Sequence, residues 1–354
     1  MLKFKIGKST ISQNSKTYFI ADIASNHDGS LKRAKKLIKL SALCGANAAK
    51  FQHFKAETIV SKFSFNKMRK LTHQSKWKSS IYEIYKKASL NILWTKELKK
   101  ECKKHNIDFL TSPYDLEYVD YVSKYIDAYK IGSGDITWMQ ILKKISNKNK
   151  PLILATGAST LKEVMNAYKL IKKNKRVTIM QCNTNYTGDE DNFKYINLNV
   201  LKTYKKIFKN NVILGLSDHT PGYSTVLGAV TLGARMIEKH FTDSNKRTGP
   251  DHSFSLNPIM WKQMVKETRR LEKALGNGVK SIEQNEKEAR IVQRRSIKAK
   301  FDLKKNTRLT ENNIAYLRPC NQKDLDPSFS RKIINKRLSK NLKKGESITW
   351  KKIF

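Results

Sequence analysis

The chain has 354 residues, of which 39% are hydrophobic, and its formal net charge is +41. This length and apolar content exclude a chain that is disordered throughout and allow one large domain with an appendage. No apolar run approaches the roughly 18 residues that a membrane helix needs. Residues 1–10 lack the apolar stretch and the cleavage site of a signal peptide. These features predict a cytoplasmic protein without a membrane partner.

The cysteine content narrows the class further. Cys44, Cys102, Cys182 and Cys320 lie far apart in the sequence and form no C-x-x-C pair. This spacing argues against a zinc ribbon and against a disulfide framework. A reducing compartment is the simplest interpretation.

The charge balance admits two interpretations. An excess of 71 Lys+Arg over 30 Asp+Glu is compatible with nucleic-acid binding, or with lysines spread over a solvated surface. Lysines occur along every predicted helix and form no single stripe, and no nucleic-acid motif is present. We therefore expect no specific nucleic acid as a partner. The positive field should attract an anionic substrate.

Short apolar runs of strand length alternate with amphipathic, helix-like segments along most of the chain. The runs are Tyr18–Ala24, Ala48–Phe54, Ile107–Ser112, Ala128–Gly132, Pro151–Thr156, Val177–Cys182, Val212–Ser217 and Arg235–Phe241. This alternation predicts an α/β fold, a (β/α)8 TIM barrel. The rival, an open doubly wound sheet, is disfavoured because no glycine-rich fingerprint follows the first strand.

The connections between the strands carry helix signals. Helices are predicted at Leu31–Cys44, Leu161–Lys172 and Asn257–Leu275. Their capping candidates are Ser30 with Gly45, Ser159 or Thr160, and Asn257 with Gly276. The long segment Lys55–Leu93, which is rich in lysine and aromatic residues, is expected to cover the mouth of the barrel.

The pattern changes near Asn285. A charged run at Glu286–Arg295 is expected to be a linker or a boundary helix, and strand-like pieces follow at Ser296–Lys300 and Ile314–Leu317. We predict a barrel domain over residues 1–284, a linker over 285–292 and a small, β-rich domain over 293–354. Because domains of this size are marginally stable alone, the last one is expected to lean on another surface.

Polar residues stand at or near the C-terminal ends of the predicted strands, where barrel enzymes place their chemistry. Each buried polar group left without a partner would cost about 1–3 kcal/mol, so the convergent set indicates a working site. The set comprises Asp22, Asn26, His27, Lys50, Gln52, Ser112, Lys130, Ser133, Asp135, Thr156, Asn183, Thr184, Tyr186, Ser217, His219, Glu238 and His240.

The histidines and lysines of this set each have a structural and a functional interpretation. His219 and His240 end neighbouring strands, so they are either hydrogen-bonded structural residues or a metal pair beside Glu238 and Asp251. For the metal, Mn²⁺ or Mg²⁺ is favoured over structural zinc.

Lys50 and Lys130 lie inside strands. Each is expected either to form a buried salt bridge, with Asp22 or Asp135, or to bind a phosphate and a carboxylate. A Schiff-base lysine is a third option.

Several motifs resemble those of the sialic acid synthase family, in order and spacing, from about residue 17 to the end. They are Asn26–Ser30, Ala128–Gly134, Ala155–Gly157, Gly215–His219, Ile237–Thr242, Gly249–Asp251 and Leu317–Pro319. The resemblance implies a TIM barrel followed by an antifreeze-like SAF domain of β-clip type. It also implies a divalent metal, Mn²⁺ or Mg²⁺, and a domain-swapped homodimer.

The reaction that the resemblance implies is an N-acetylneuraminate synthase-like condensation. Phosphoenolpyruvate would join N-acetylmannosamine, or a related N-acylated amino sugar, to give a nonulosonic acid and phosphate. His219 and His240 would hold the metal. The residues implied to be catalytic are Asp22, Lys50, Lys130 and Glu238. Those implied to bind substrates are Gln52, Ser112, Ser133, Thr156, Asn183, Thr184, Tyr186, Ser217, Asp251 and, reaching the N-acyl group, Arg318 of the partner subunit.

This chain departs from the family pattern at three places. Asp22 stands where glutamate is usual, Ala155 stands where serine is usual, and the Cys182–Thr187 loop lacks the usual Cys-Thr-x-x-Tyr-Pro sequence. These departures leave the identity of the sugar open, although Gly249–Asp251 is typical of sialic- and legionaminic-type synthases. Two alternatives are a metal-dependent phosphoenolpyruvate aldolase that uses a phosphosugar, and a non-catalytic barrel that binds polyanions.

Overall fold

The computed structural model describes residues 2–68 and 79–354. The chain divides into two compact units, the first ending at Gly276 and the second spanning Asn277–Phe354. Within the described residues, no helix is both long enough and apolar enough to cross a membrane.

A closed barrel of eight parallel strands forms the first unit, preceded by an antiparallel hairpin of two strands. The hairpin strands are β1 (Lys3–Ile6) and β2 (Ser9–Ser12). The barrel strands are β3 (Tyr18–Asp22), β4 (Ala48–His53), β5 (Asp108–Pro113), β6 (Ala128–Ile131), β7 (Leu152–Ala155), β8 (Val177–Cys182), β9 (Ile213–Asp218) and β10 (Met236–His240). Strand β10 pairs with both β9 and β3, which closes the barrel and confirms the predicted fold.

Helices connect the strands. They are α1 (Leu31–Leu43), α2 (Ala56–Ile59), α3 (Lys62–Lys67), α4 (Ile81–Ala88), α5 (Thr95–Lys104), α6 (Leu116–Val122), α7 (Met139–Ser146), α8 (Leu161–Ile171), α9 (Val200–Phe208), α10 (Ser224–Thr231) and α11 (Pro258–Ala274). Side chains of Ser30, Thr160 and Asn257 accept hydrogen bonds from the first turns of α1, α8 and α11, which confirms these caps. Part of the predicted insertion, residues 69–78, lies outside the described residues.

The hairpin closes the N-terminal end of the barrel. Phe4, Ile6 and Ile11 are almost fully buried and join one apolar cluster with inward-facing side chains of the barrel strands, such as Ile153 and Ile213. Gly7 in its turn has φ of +51°, a conformation that glycine adopts at little cost. Since apolar side chains fill this end, the polar groups of the barrel interior collect at the opposite end.

The second unit is small and mostly irregular. It contains α12 (Lys287–Gln293), an antiparallel pair of strands, β11 (Ser296–Ala299) and β12 (Ile314–Leu317), and the short helix α13 (Ser330–Ile333). Its own apolar core includes Ile297, Leu309, Ile333, Leu338 and Ile348. The segment predicted as a linker therefore forms most of α12.

A buried ion pair ties β9 to β10 beside the functional end. Lys239 Nζ lies 2.5 Å from Asp218 Oδ2, and both residues are almost fully buried. Thr220 and Thr225 donate further hydrogen bonds to the same carboxylate. Burial opposes ionisation of Asp218, but Lys239 outweighs it, so the pKa of this carboxyl is lowered. His219 directly follows Asp218 and His240 directly follows Lys239. We call this ion pair the anchor, because it helps to fix where the two histidines lie.

We predict that Asp218→Asn lowers the free energy of unfolding at pH 7 by about 3–5 kcal/mol, because Lys239 is left buried without a countercharge. The matched control is Asp120→Asn. Asp120 also pairs with two lysines, Lys144 and Lys148, but is half exposed, so a loss below about 1 kcal/mol is expected. Urea denaturation of wild type and of each variant measures these changes in the free energy of unfolding.

The difference between wild type and Asp218→Asn should depend on pH. A lowered native pKa contributes stability that is present above the unfolded pKa of about 3.9 and is lost as the pH falls through the native pKa. A destabilisation that is equal for Asp218→Asn and Asp120→Asn would contradict the proposed anchor.

Candidate active site

A cavity of about 460 Å³ opens at the C-terminal ends of the barrel strands. Most of the residues predicted to form a site line it. They are Asp22, Lys50, Gln52, Lys130, Ser133, Tyr186, Ser217, His219, Glu238, His240 and Asp251. Parallel strands in a closed barrel present their C-terminal ends on one face, which is why residues so far apart in sequence meet.

Four charged residues alternate in sign through the deepest part of this cavity. Lys50 Nζ lies 2.6 Å from Asp22 Oδ2 and 3.8 Å from Glu238 Oε2. Lys130 Nζ lies 2.7 Å from Glu238 Oε1, which also accepts a hydrogen bond of 3.0 Å from Ser217 Oγ. We call Asp22, Lys50, Glu238 and Lys130 the charge chain. The salt bridge between Lys50 and Asp22 agrees with the structural interpretation, whereas the partner of Lys130 is Glu238 and not Asp135.

Lys50 and Glu238 are charged at neutral pH although both are buried. Burial alone would raise the pKa of Glu238, but Lys130 and Lys50 outweigh it and lower the pKa to about 2. Burial alone would lower the pKa of Lys50, but Asp22 and Glu238 outweigh it and raise the pKa. Register places Asp22 directly opposite Lys50 on neighbouring strands β3 and β4. The folded backbone therefore holds these charges together.

His219 and His240 lie side by side at the edge of the charge chain, with ring centroids 5.4 Å apart. His219 Nδ1 is 2.8 Å from the carbonyl oxygen of Asn183. Because a carbonyl oxygen only accepts, Nδ1 carries the hydrogen and Nε2 carries the lone pair. Burial and the neighbouring His240 lower the pKa of His219 to about 3, so its ring is neutral.

His240 completes the pair. Its Nε2 is 3.5 Å from Asp22 Oδ2 and its Nδ1 is 3.9 Å from Asp251 Oδ2. Among the described residues, the buried Nδ1 atom has no hydrogen-bond partner. Tyr186 and Phe254 pack against the two rings, with centroids 4.4 Å from His219 and 4.9 Å from His240, respectively.

The chemistry of the histidine pair suits a divalent metal. A neutral imidazole whose other nitrogen is held by a backbone carbonyl is the usual form of a metal-binding histidine. In residues 2–68 and 79–354, no group of three or more His, Cys, Asp or Glu side chains is arranged to hold a metal ion. The pair would thus supply two ligands and leave the other positions to water or substrate oxygens, as catalytic sites do.

Ser25 is a cavity residue that the sequence patterns did not reveal. Its backbone N–H and its Oγ both donate to Asp251 Oδ2, at 3.1 and 2.5 Å. The preceding Ala24 has φ of +43°, and its N–H donates to Asp22 Oδ1. This tight turn after β3 brings Ser25 back over the strand end, where it fixes the Asp251 carboxylate.

Six residues of the predicted site do not line the cavity: Asn26, His27, Ser112, Thr156, Asn183 and Thr184. Thr156 Oγ1 donates to the carbonyl of Met180 and accepts from the hydroxyl of Tyr204. The side chain of Thr156 therefore stabilises the barrel and does not face the cavity. The side chain of Asn183 donates to the carbonyl of Tyr195, and only its backbone oxygen reaches His219. Arg318 belongs to the second unit.

The cavity is also lined by residues that were not predicted to contact a substrate or a metal. Phe54, Ile59, Ile84, Tyr85 and Ala88 lie in or just before the predicted insertion, and the described part of that segment therefore lines the mouth. Asp135 also lines the cavity, and burial raises its pKa to about 6, so its charge changes in the range where enzymes operate.

Comparison with known proteins agrees with the motifs. The NeuB family model matches residues 37–280, and the SAF domain model matches residues 294–353. The N,N'-diacetyllegionaminic acid synthase of Campylobacter jejuni is 38% identical over 94% of this chain and 99% of its own length. The pseudaminic acid synthase of the same organism is 31% identical over 94% of this chain and 95% of its own length.

A solved structure supports the same relationship. The N-acetylneuraminic acid synthetase of Leptospira borgpetersenii, in complex with citrate, superimposes with a TM-score of 0.71 at 28% identity. The alignment covers 81% of this chain and 94% of that one. These matches confirm the resemblance to the sialic acid synthases and the SAF domain at the C-terminal end. The chain belongs to the NeuB family.

Proposed function

We propose that this protein condenses phosphoenolpyruvate with N-acetylmannosamine or a related 2-acetamido sugar, giving a nonulosonic acid and phosphate. The observation that carries the proposal is the charge chain beside the histidine pair, at the closed end of one cavity. Relatives named as legionaminic and pseudaminic acid synthases support the reaction class. The SAF match favours it over aldolases of phosphosugars, which we expect to lack such a domain.

Lys50 and Lys130 are proposed to bind the phosphate and the carboxylate of phosphoenolpyruvate. Each ammonium group has three N–H donors, so a contact with one carboxylate does not exhaust it. Both lysines are almost fully buried, which strengthens their attraction for an anion because little water screens it. Ser133 and Ser217 place hydroxyl groups beside them in the cavity.

His219 and His240 are proposed to hold Mn²⁺ or Mg²⁺, which when bound acts as a Lewis acid on the aldehyde oxygen. Asp251, fixed by Ser25, is proposed to accept a hydrogen bond from a sugar hydroxyl or amide. Gln52 and Tyr186 line the same cavity and are proposed to complete the sugar contacts.

The proposed bond changes balance as follows. C3 of phosphoenolpyruvate attacks the aldehyde carbon and forms the new C–C bond, while the aldehyde oxygen gains a proton. Positive charge develops at C2, and the side chains of Glu238 and Asp22 are proposed to stabilise it. Water adds at C2 and loses one proton, which balances the proton gained by the aldehyde oxygen. The hydroxyl left at C2 then loses its proton as the bond from C2 to the bridging phosphate oxygen breaks, which gives a keto group at C2 and releases phosphate. Lys50 and Lys130 stabilise the charge on the departing phosphate.

The direct test is phosphate release from phosphoenolpyruvate, measured with a panel of 2-acetamido sugars. We expect release that requires both an acceptor sugar and Mn²⁺ or Mg²⁺, and that stops when a chelator removes the metal. Restoring the metal should restore the rate. Absence of release with every acceptor, from protein whose circular dichroism shows it folded, would refute the proposed function.

The metal assignment has its own test in His240→Ala. We predict at least a ~100-fold lower rate of phosphate release and a weaker affinity for Mn²⁺ by electron paramagnetic resonance, with the fold retained. The control is His105→Ala, since His105 contacts Glu101 outside the cavity and should leave both readouts unchanged. If His240→Ala binds Mn²⁺ as wild type does, the histidine pair is not the metal site.

A further inference from the structure

His252 is a fully buried histidine that the proposed reaction does not use. It does not line the cavity, but the residue before it, Asp251, does. Its Nε2 lies 2.9 Å from Asp28 Oδ1, and its Nδ1 lies 2.7 Å from Thr242 Oγ1. Because both ring nitrogens have a hydrogen-bond partner, the ring is held in one orientation.

These contacts join two connections of the barrel. Asp28 lies in the connection that follows β3, whereas His252 lies in the connection that follows β10. Arg33 joins the same two connections, since its guanidinium lies 2.9 Å from Asp28 Oδ2 and 2.6 Å from Asp243 Oδ1. We call His252, Asp28 and Arg33 the strut. Strands β3 and β10 are neighbours in the barrel, so the strut ties together the loops at their C-terminal ends.

The loop that follows β10 leaves little room around the His252 ring. A Cβ atom at Gly249 would lie 2.7 Å from Cδ2 of the ring, which is closer than carbon atoms approach unless the ring or the backbone shifts. The side-chain amide of Asn245 donates to the backbone carbonyl of His252, at 3.0 Å. The ring and the backbone of His252 are therefore both fixed, and so is the backbone of the adjacent Asp251.

The direction of the Asp251 carboxylate depends on this support. Ser25 donates two hydrogen bonds to Asp251, from its backbone N–H and from Oγ, and both end on Oδ2. Because they share one oxygen, these two bonds do not by themselves fix where the other oxygen points. That direction also depends on where the Asp251 backbone lies. The strut holds this backbone against the connection that carries Ser25.

We propose that His252 is a positioning residue for the acceptor sugar, because through the strut it sets the direction of the Asp251 carboxylate. This inference rests on the proposed function, in which Asp251 accepts a hydrogen bond from the sugar. A misplaced acceptor group weakens binding of the sugar. Phosphoenolpyruvate is proposed to bind at Lys50 and Lys130, which lie on β4 and β6 and not on the two connections that the strut ties. Its binding should therefore not change.

The first test replaces His252 with asparagine and with glutamine. The side-chain amide of glutamine reaches about as far as Nε2 and can still donate to Asp28, whereas the amide of asparagine is one methylene shorter and cannot. We expect His252→Asn to raise the KM for the acceptor sugar ~10- to 100-fold and to leave the KM for phosphoenolpyruvate unchanged. His252→Gln should restore both values to nearly those of wild type. The control, His105→Ala, should change neither.

A second variant tests the strut without altering the buried ring. Asp28→Ala removes the acceptor of the same hydrogen bond at a side chain that is 32% exposed, and it should also raise the KM for the acceptor sugar. If the strut acts through Asp251, its loss should matter little once the Asp251 carboxylate is gone. In an Asp251→Ala background, Asp28→Ala should therefore change kcat/KM for the acceptor by less than ~2-fold.

The outcomes separate this inference from the proposed function. Equal rises in the two KM values, or an acceptor KM that His252→Asn and Asp28→Ala leave unchanged, would overturn the positioning role alone. An undiminished effect of Asp28→Ala in the Asp251→Ala background would overturn it as well. No phosphate release from wild type with any 2-acetamido sugar would overturn the proposed function and this inference together. Circular dichroism checks that each variant is folded.

Discussion

The buried alternation of charge along Asp22, Lys50, Glu238 and Lys130 is the interaction on which the site depends. Its two cations and two anions balance, so the barrel folds without an unpaired buried charge, which would cost several kcal/mol. The same arrangement pairs both lysines with carboxylates and removes them from bulk water. A binding site for an anionic substrate is thereby built from groups that also stabilise one another.

Closure of the barrel is what brings the charge chain together. Pairing of β10 with β3 places His240 opposite Asp22, although these residues are far apart in sequence. The hairpin of β1 and β2 fills the other end with apolar side chains, so the interior has one polar end. The Asp218–Lys239 pair then anchors the two strand ends that carry the histidines. At this end of the barrel, the residues that stabilise the fold are therefore the direct neighbours of the residues that form the site.

The sequence predicted the barrel well because local patterns carry most of its information. Strand runs, helix caps at Ser30, Thr160 and Asn257, and polar strand ends are all properties of short segments, and the strand ends must meet on one face once the barrel closes. The site residues that were found in this way include the charge chain and both histidines. Their assigned roles remain proposals.

What the sequence did not predict depends on contacts between distant segments. Ser25 meets Asp251 across 226 positions of sequence, and no local pattern records that contact. Thr156 stands at a strand end as expected, but its hydroxyl is taken by Met180 and Tyr204. The apolar stripe of α4 looks like an ordinary core-facing pattern, and only the fold shows that it faces a cavity. Lys130 on β6 pairs with Glu238 on β10 across the interior of the barrel, since the two strands are not neighbours, and no local pattern records which strands face each other.

In the proposed reaction the site performs chemistry at carbon, with lysines that hold the phosphate and water that adds at C2. The most direct measurement is the mass of the phosphate released when phosphoenolpyruvate and the preferred acceptor react in ¹⁸O-labelled water. Cleavage of the bond between C2 and the bridging oxygen leaves that oxygen on phosphorus, so we expect phosphate without ¹⁸O. Phosphate that carries one ¹⁸O atom would show that water attacks phosphorus, and would rule out the proposed addition of water at C2.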